Sequence, residues 1–238
     1  MKDISLDIAE NDIVALLGLN GTGKSSLLRT ISGLQKQKEG SISIKNKSLN
    51  AYSDAELSRQ LGIVLSGRGE MMQSLTVIEI LSMARSPYTG FMHVLSDNDK
   101  KIIKDIIDQL GAEHLLYRPI YQLSDGEMQK IMIAKVLVQQ TPLILLDEPT
   151  SHLDIVNKVE IFSLIRQLKK QNKTVLFASH ELEMALQIAD KCILLDHSGA
   201  FVFGATQTLI DTHQFQHFFN AKNFYFNETL KKFESNLL

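Results

Sequence analysis

Apolar runs and polar breaks alternate along this 238-residue chain, and their spacing changes twice. Residues 13–17 form an unbroken apolar run. A glycine-rich turn follows, then a helical pattern to about Ser32 with Gly33 as its stop. Residues 40–46 alternate Ile42 and Ile44 with polar neighbours, which predicts a half-buried strand. A short helix is predicted over 54–60. The apolar run 61–65 predicts a buried strand that breaks at Ser66. Over 67–123 the pattern becomes helical. Thr76 and Glu79 form a capping box for a helix that Pro87 ends. Ser96 and Asp99 open another, with Ile102, Ile103, Ile106, Ile107 and Leu110 at helical spacing and Gly111 as its stop. Beyond it, strands at 143–147, 174–179, 191–196 and 200–204 alternate with helices at about 125–139, 155–171 and 181–189. Such alternation implies an α/β fold with a largely parallel sheet. Six phenylalanines fall in the last 26 residues. They predict either a C-terminal lobe packed on the core or an exposed dimer surface.

Composition narrows the class. The chain is 44% hydrophobic and 22% charged, ordinary for a globular protein long enough to bury a sizeable core. Its net charge of −2 supplies no basic field for nucleic acid. One cysteine, Cys192, excludes an internal disulfide. No apolar run approaches the roughly 18 residues of a membrane span, and the first residues lack an apolar signal region. The expectation is a cytoplasmic protein whose membrane work, if any, goes through a partner.

Two stretches then carry chemistry. Gly18-Leu19-Asn20-Gly21-Thr22-Gly23-Lys24-Ser25 fits G-x-x-x-x-G-K-[ST] between a strand and a helix. Its glycines let backbone N–H groups point inward, and the helix N-terminus adds positive potential. Gly18, Asn20, Gly21, Thr22, Gly23, Lys24, Ser25 and Ser26 are the candidate phosphate-binding residues. Lys24 is expected to reach the β- and γ-phosphates, and the Ser25 hydroxyl can ligate Mg²⁺. The strand 143–147 ends in Asp147-Glu148 at the edge where open α/β sheets bind ligands. Asp147 suits the Mg²⁺ shell and Glu148 suits a general base toward water. His180 ends the next strand and is placed to reach a γ-phosphate.

Leu123-Ser124-Asp125-Gly126-Glu127 is locally a capped helix start, since Ser124 and Glu127 form S-x-x-E. Here the chain resembles the ATP-binding subunits of ABC transporters. The stretch resembles their signature motif, with Asp125, Glu127 and Lys130 as departures from its glycine, glutamine and arginine. Residues 18–26 resemble Walker A and 143–148 Walker B. Ser151-His152-Leu153-Asp154 resembles the D-loop, with Asp154 its acidic residue, and His180 resembles the switch histidine. The resemblance implies a P-loop NTPase (RecA-like) core over 1–66 and 124–238, with a helical subdomain inserted over 67–123. It implies an ATPase using ATP and Mg²⁺, with Lys24, Glu148 and His180 catalytic. Two copies pair head to tail, so that each ATP meets one copy's P-loop and the other's signature. Integral-membrane permease subunits, indirectly a substrate-binding protein, and a peripheral place on the inner face of the cell membrane follow from it.

The family pattern is departed from twice more. No Tyr, Trp or Phe precedes Walker A, and the family's N-terminal antiparallel β part is expected to be truncated; either adenine stacking is lost or the sequence starts inside a longer frame. Ser66 aligns with the Q-loop glutamine, and Gln73 lies too far along to stand in. Ala84-Arg85-Ser86-Pro87-Tyr88 resembles a stretch of importer ATPases for iron–siderophore complexes, haem or cobalamin, in a region that meets the permease. The expected function is ATP hydrolysis for such an importer. Alternatives are a soluble ABC ATPase of cofactor assembly and a low-turnover ATP-binding regulatory module.

Overall fold

Strand β1 (Ile13–Gly18) is buried at every residue and sits inside the sheet. Around it, β4 (Leu61–Val64), β5 (Leu143–Asp147), β6 (Thr174–Ser179), β7 (Lys191–Leu195) and β8 (Phe201–Ala205) are arranged β4-β5-β6-β1-β7-β8. The first five are parallel and β8 is antiparallel to β7. The computed structural model describes residues 4–66, 74–89, 94–219, 224–227, 230 and 232–235. Of the sequence-based expectations, residues 67–73 of the helical insertion, Gln73 among them, lie outside these.

Side-chain alternation along β1 explains the layers. Ile13, Ala15 and Leu17 face one apolar cluster, which takes in α6 (Ile155–Lys170) and α7 (Leu182–Ile188). Val14 and Leu16 face another, which takes in Leu28 of α1 (Lys24–Ile31). With both faces covered, the central strands must be apolar throughout, as the sequence reads.

The short helix α2 (Asp54–Gln60) leads directly into β4. A third cluster joins α3 (Val77–Met83), α4 (Asp97–Leu110) and α5 (Asp125–Val138). α5 is shared. Ile131, Ala134 and Val138 pack with α3 and α4, whereas Ile133, Val136 and Leu137 pack against the sheet. A helix buried on both sides loses the one-sided apolar stripe of a surface helix.

Local expectations fail in two places. The strand expected over 40–46 shrinks to β2 (Ser43–Ile44), paired with β3 (Lys47–Ser48). Lys45 and Asn46 between them both take positive φ, 49° and 61°, the two-residue turn that closes a tight hairpin. The helix expected to run to Pro87 ends at Met83 and continues as turns, with the Arg85 N–H bonded to Ser82 O and the Tyr88 N–H to Arg85 O. Both capping boxes do form, at Thr76/Glu79 and Ser96/Asp99, and Gly111 stops α4 at φ 61°.

The C-terminal aromatics pack inward. α8 (Thr206–Asp211), α9 (Gln214–Phe218) and the hairpin of β9 (Phe224–Asn227) with β10 (Lys232–Ser235) close over the cluster beside α7. Phe215 stacks on Phe226 at 5.1 Å between centroids, and Phe219 meets Phe233 edge-on at 5.7 Å. Packing of a C-terminal lobe, rather than an exposed surface, describes Phe215, Phe219 and Phe226.

Candidate functional site

β1 hands the chain to α1 through a loop that must turn sharply. Gly23 takes φ 99°, a region closed to most side chains, and α1 follows with no side-chain cap and no acid in its first turn. The Thr22 N–H and hydroxyl both bond to Leu19 O, at 3.3 and 2.9 Å, closing the loop from within. Lys24 folds back along it and donates from Nζ to Gly18 O at 2.9 Å and Leu19 O at 3.3 Å. Asn20, Gly21, Gly23, Lys24, Ser25 and Ser26 line an open cavity, with Glu148, Ser151, His152 and His180 on its far wall. Gly18 and Thr22 lie beneath rather than in the lining. A Cβ at Gly18 would sit 2.6 Å from Leu195 O, so the loop could not settle against β7 with any larger residue.

Register brings the acids to this loop. Leu16 and Asp147 both pair with Ala178 of β6, so β1, β5 and β6 end together. Asp147 is buried, and each of its oxygens accepts one hydroxyl: Ser25 Oγ on Oδ1 at 2.9 Å and Ser66 Oγ on Oδ2 at 3.0 Å. Ser66 arrives because Val64 of β4 pairs with Leu146, which carries Ser66, two residues on, just past the end of β5. Two hydroxyls converging on one carboxylate make an all-oxygen donor set, which suits a small hard cation such as Mg²⁺. Among the described residues no group of three or more His, Cys, Asp and Glu could hold a metal. A cation here therefore depends on these hydroxyls and on oxygens from a bound phosphate.

Glu148 turns differently from its neighbour. Its backbone is left-handed, φ 51°, while its N–H still bonds to Ala178 O at 3.1 Å. A glutamate in that region carries strain of order 1 kcal/mol. The turn lays its carboxylate between two groups: Oε1 is 3.4 Å from Lys24 Nζ, and Oε2 is 2.6 Å from His180 Nδ1. The His180 N–H also reaches Oε2, at 3.3 Å. His180 Nε2 lies 3.6 Å from Glu181. The structure thus gathers Lys24, Ser25, Ser66, Asp147, Glu148 and His180 at one end of the loop. A cation, a paired carboxylate and an imidazole at a phosphate cradle can bind a polyphosphate, orient water and carry its proton.

Leu123, Ser124, Asp125, Gly126, Glu127 and Asp154 line no part of this cavity. Ser124 caps α5 reciprocally: Glu127 Oε2 accepts the Ser124 N–H at 2.8 Å and hydroxyl at 2.9 Å, and the Glu127 N–H reaches Ser124 Oγ at 3.3 Å. The Ser124 N–H, then its hydroxyl, hold the Glu127 carboxyl below its ordinary range. Asp154 caps α6, accepting the Asn157 N–H at 2.8 Å and its Nδ2 at 3.0 Å. Sequence reasoning missed Asn157. A Cβ on Gly126 would fall 2.5 Å from Asn157 Oδ1, so this side chain seats one helix start on the other. Lys130 and Glu160, 2.6 Å apart, tie the same helices further along. Spacing alone signals only the Asp154 cap. Ser151 and His152, in the stretch that resembles the D-loop, also line the cavity.

The Ala84–Tyr88 stretch, expected to face a partner, is partly internal. Arg85 is buried, with Nε 2.7 Å from Asp99 Oδ1 and Nη1 bonded to Val138 O and Gln140 Oε1 at 2.8 and 3.1 Å. The Tyr88 ring covers its guanidinium at 4.1 Å, and the hydroxyl bonds to Gln139 O at 3.0 Å. Arg85 therefore fastens α3 and α4 to the end of α5. Tyr88 and Met83 keep exposed surface.

Comparisons with known proteins bear on the family and the fold. The ABC transporter family model matches residues 1–151. The iron(3+)-hydroxamate import ATP-binding protein FhuC of Bacillus subtilis is 34% identical over 196 residues, 82% of this chain and 72% of FhuC. A structure described as a metal-chelate type ABC transporter, in an inward-facing conformation, superposes with a TM-score of 0.79 at 31% identity, over 91% of this chain and 82% of that one. A dimeric post-hydrolysis structure of the ATP-binding cassette MJ0796, bound to ADP and Pi, gives 0.73 at 27% identity, over 84% and 88%.

Proposed function

This chain belongs to the ABC transporter family as one of its ATPases, and from that premise we propose that it powers a membrane importer for an iron chelate or a related metal chelate. The observation that carries the chemistry is the convergence of Lys24, Asp147, Glu148 and His180 on one end of the phosphate loop. ATP lies along residues 18–26 with its γ-phosphate toward Asp147 and Glu148. Lys24 meets the β- and γ-phosphates. Glu148 polarises the attacking water and takes its proton. His180 holds that carboxylate and, with Lys24, offsets the charge of the transferring phosphoryl group. Ser25 and Asp147 would hold Mg²⁺, with Ser66 steadying Asp147 from the other side; bound there, the ion neutralises phosphate charge. The donor set of two hydroxyls and a carboxylate supports this.

The working unit is a head-to-tail pair of copies. Leu123–Glu127 of one copy covers the phosphate held by the other, and Asp154 lies at the seam. The dimeric relative bound to ADP and Pi supports the pairing. In this reading the core is made of segments 1–66 and 124–238, and α3 and α4 belong to the helical part inserted between them. Among the described residues no helix is long and apolar enough to cross a membrane. In this reading the translocating path belongs to separate permease subunits. The ATPase sits against their cytoplasmic face, with a substrate-binding protein delivering the chelate. The importer names of the relatives support the substrate class.

Two measurements test this. Mg–ATP hydrolysis by the purified protein should fall about a hundredfold or more in Glu148→Gln, with ATP binding retained. Equal turnover in both proteins would remove Glu148 from its role. A tagged copy should be recovered from detergent-solubilised membranes together with an integral-membrane subunit. Recovery with water-soluble partners only would defeat the transport reading.

A further inference from the structure

Among the described residues, the cavity at the phosphate loop gathers its charged groups at one end, the proposed γ-phosphate end. No Phe, Tyr or Trp stands among its lining residues. Sheet order says where the rest of the ligand must go. Asp147, Glu148 and His180 lie at the ends of β5 and β6, on one side of β1, and β7 flanks β1 on the other. A polyphosphate whose terminal group sits at β5 and β6 runs across the loop and leaves on the β7 side.

At that exit stands His197, in the turn between β7 and β8. A Cβ built on Gly21, at the crest of the loop, would lie 3.8 Å from His197 Cε1. The side chain is exposed and makes no hydrogen bond or ion pair with another described residue. The turn beneath it is nevertheless fixed. Asp196 Oδ1 accepts the Ser198 hydroxyl at 2.7 Å and the Ala200 N–H at 2.9 Å, and Gly199 takes φ 86°. The Ser198 hydroxyl bond chiefly holds the Asp196 carboxyl below its ordinary range, so the turn keeps this clasp through the neutral range. β7 is itself locked to β1 in register, with Gly18 opposite Leu195. A fixed turn thus presents one aromatic face, with no hydrogen-bond or ion-pair partner among the described residues, beside the phosphate loop.

We infer that His197 is a nucleoside-contacting residue, its imidazole ring forming the surface on which the base or ribose of bound ATP rests. This rests on the reading of residues 18–26 as the ATP site. Imidazole, like other aromatic side chains, offers a π-face to any base, so the contact strengthens binding without choosing strongly among bases.

Calorimetric titration with Mg–ATP and with Mg–tripolyphosphate separates the two ends of the ligand. His197→Ala should weaken ATP about five- to tenfold, at the low end of what base stacking contributes, and leave tripolyphosphate within about twofold. His197→Phe should restore ATP to within about twofold of the parent. Unchanged ATP affinity in His197→Ala, or an equal loss for both ligands, would overturn the inference. Failure of the parent protein to bind either ligand would instead overturn the phosphate-site reading itself.

Discussion

Two helix starts are proposed to meet phosphate, and they are built in opposite ways. α1 begins after a left-handed glycine, with no capping side chain and no acid in its first turn. Its N–H groups and partial positive charge are left for a ligand. α5 begins with a complete reciprocal cap, and both Asp125 and Glu127 stand in its first turn. Its Ser124 N–H is engaged by the Glu127 carboxylate, and its Glu127 N–H by the Ser124 hydroxyl. A sequence that spends a helix start on a ligand forgoes local stability there, and one that caps it gains stability and holds the ligand off. In the proposed dimer, α1 is the permanent phosphate seat and α5 must exchange part of its own cap for the partner's γ-phosphate.

The largest effect should come from making α1 resemble α5. Gly23→Asp places a carboxylate at the phosphate seat and forces a non-glycine residue into φ 99°. ATP binding by calorimetry should fall more than about a hundredfold, by charge repulsion in a partly buried site, while the melting temperature drops by several degrees. Retained ATP affinity would show that the open helix start is not the seat.

A smaller effect is expected from making α5 resemble α1. Glu127→Gln keeps an oxygen for the Ser124 N–H but removes the charge. In a Glu148→Gln background, ATP-dependent dimerisation followed by light scattering should tighten about tenfold, most clearly at low salt. Weaker dimerisation would mean that the Glu127 charge assists closure rather than opposing it.

Ser66→Ala tests the support around the seat. It leaves Asp147 Oδ2 without its hydroxyl. The Mg²⁺ concentration for half-maximal ATPase activity should rise a few-fold, about 1 kcal/mol, with little change in Mg²⁺-free nucleotide binding. An unchanged Mg²⁺ dependence would make Ser66 a turn residue only.

The smallest effect is on acid stability. Because the Glu127 carboxyl is held below its ordinary value of 4.5 in the folded chain, its cap contributes fully above that pH. The contribution is lost as pH falls through the lowered folded value. The parent should exceed Glu127→Gln by about 1 kcal/mol near neutrality, with the gap closing below pH 4.5 in urea titrations. A constant gap across that range would assign the effect to packing.

Local sequence determined most of what depends on neighbours in the chain, the tight turn at Lys45 and Asn46 and the early end of α3 excepted. The phosphate loop, the capping boxes of α3, α4 and α5, the stop at Gly111 and the apolar central strands were all legible, because sterics, capping and side-chain period act over a few residues. The tertiary structure alone decided what depends on strand order and register. Ser66 and Asp147 meet across 81 residues, and Ser25 and Asp147 across 122. Asn157 lies under Gly126 and His197 beside Gly21 for the same reason. Arg85 read as part of a partner-facing stretch, yet packing drew it inside against Asp99. A periodic pattern states that a residue faces inward; which residue it meets there is set by how whole strands and helices align.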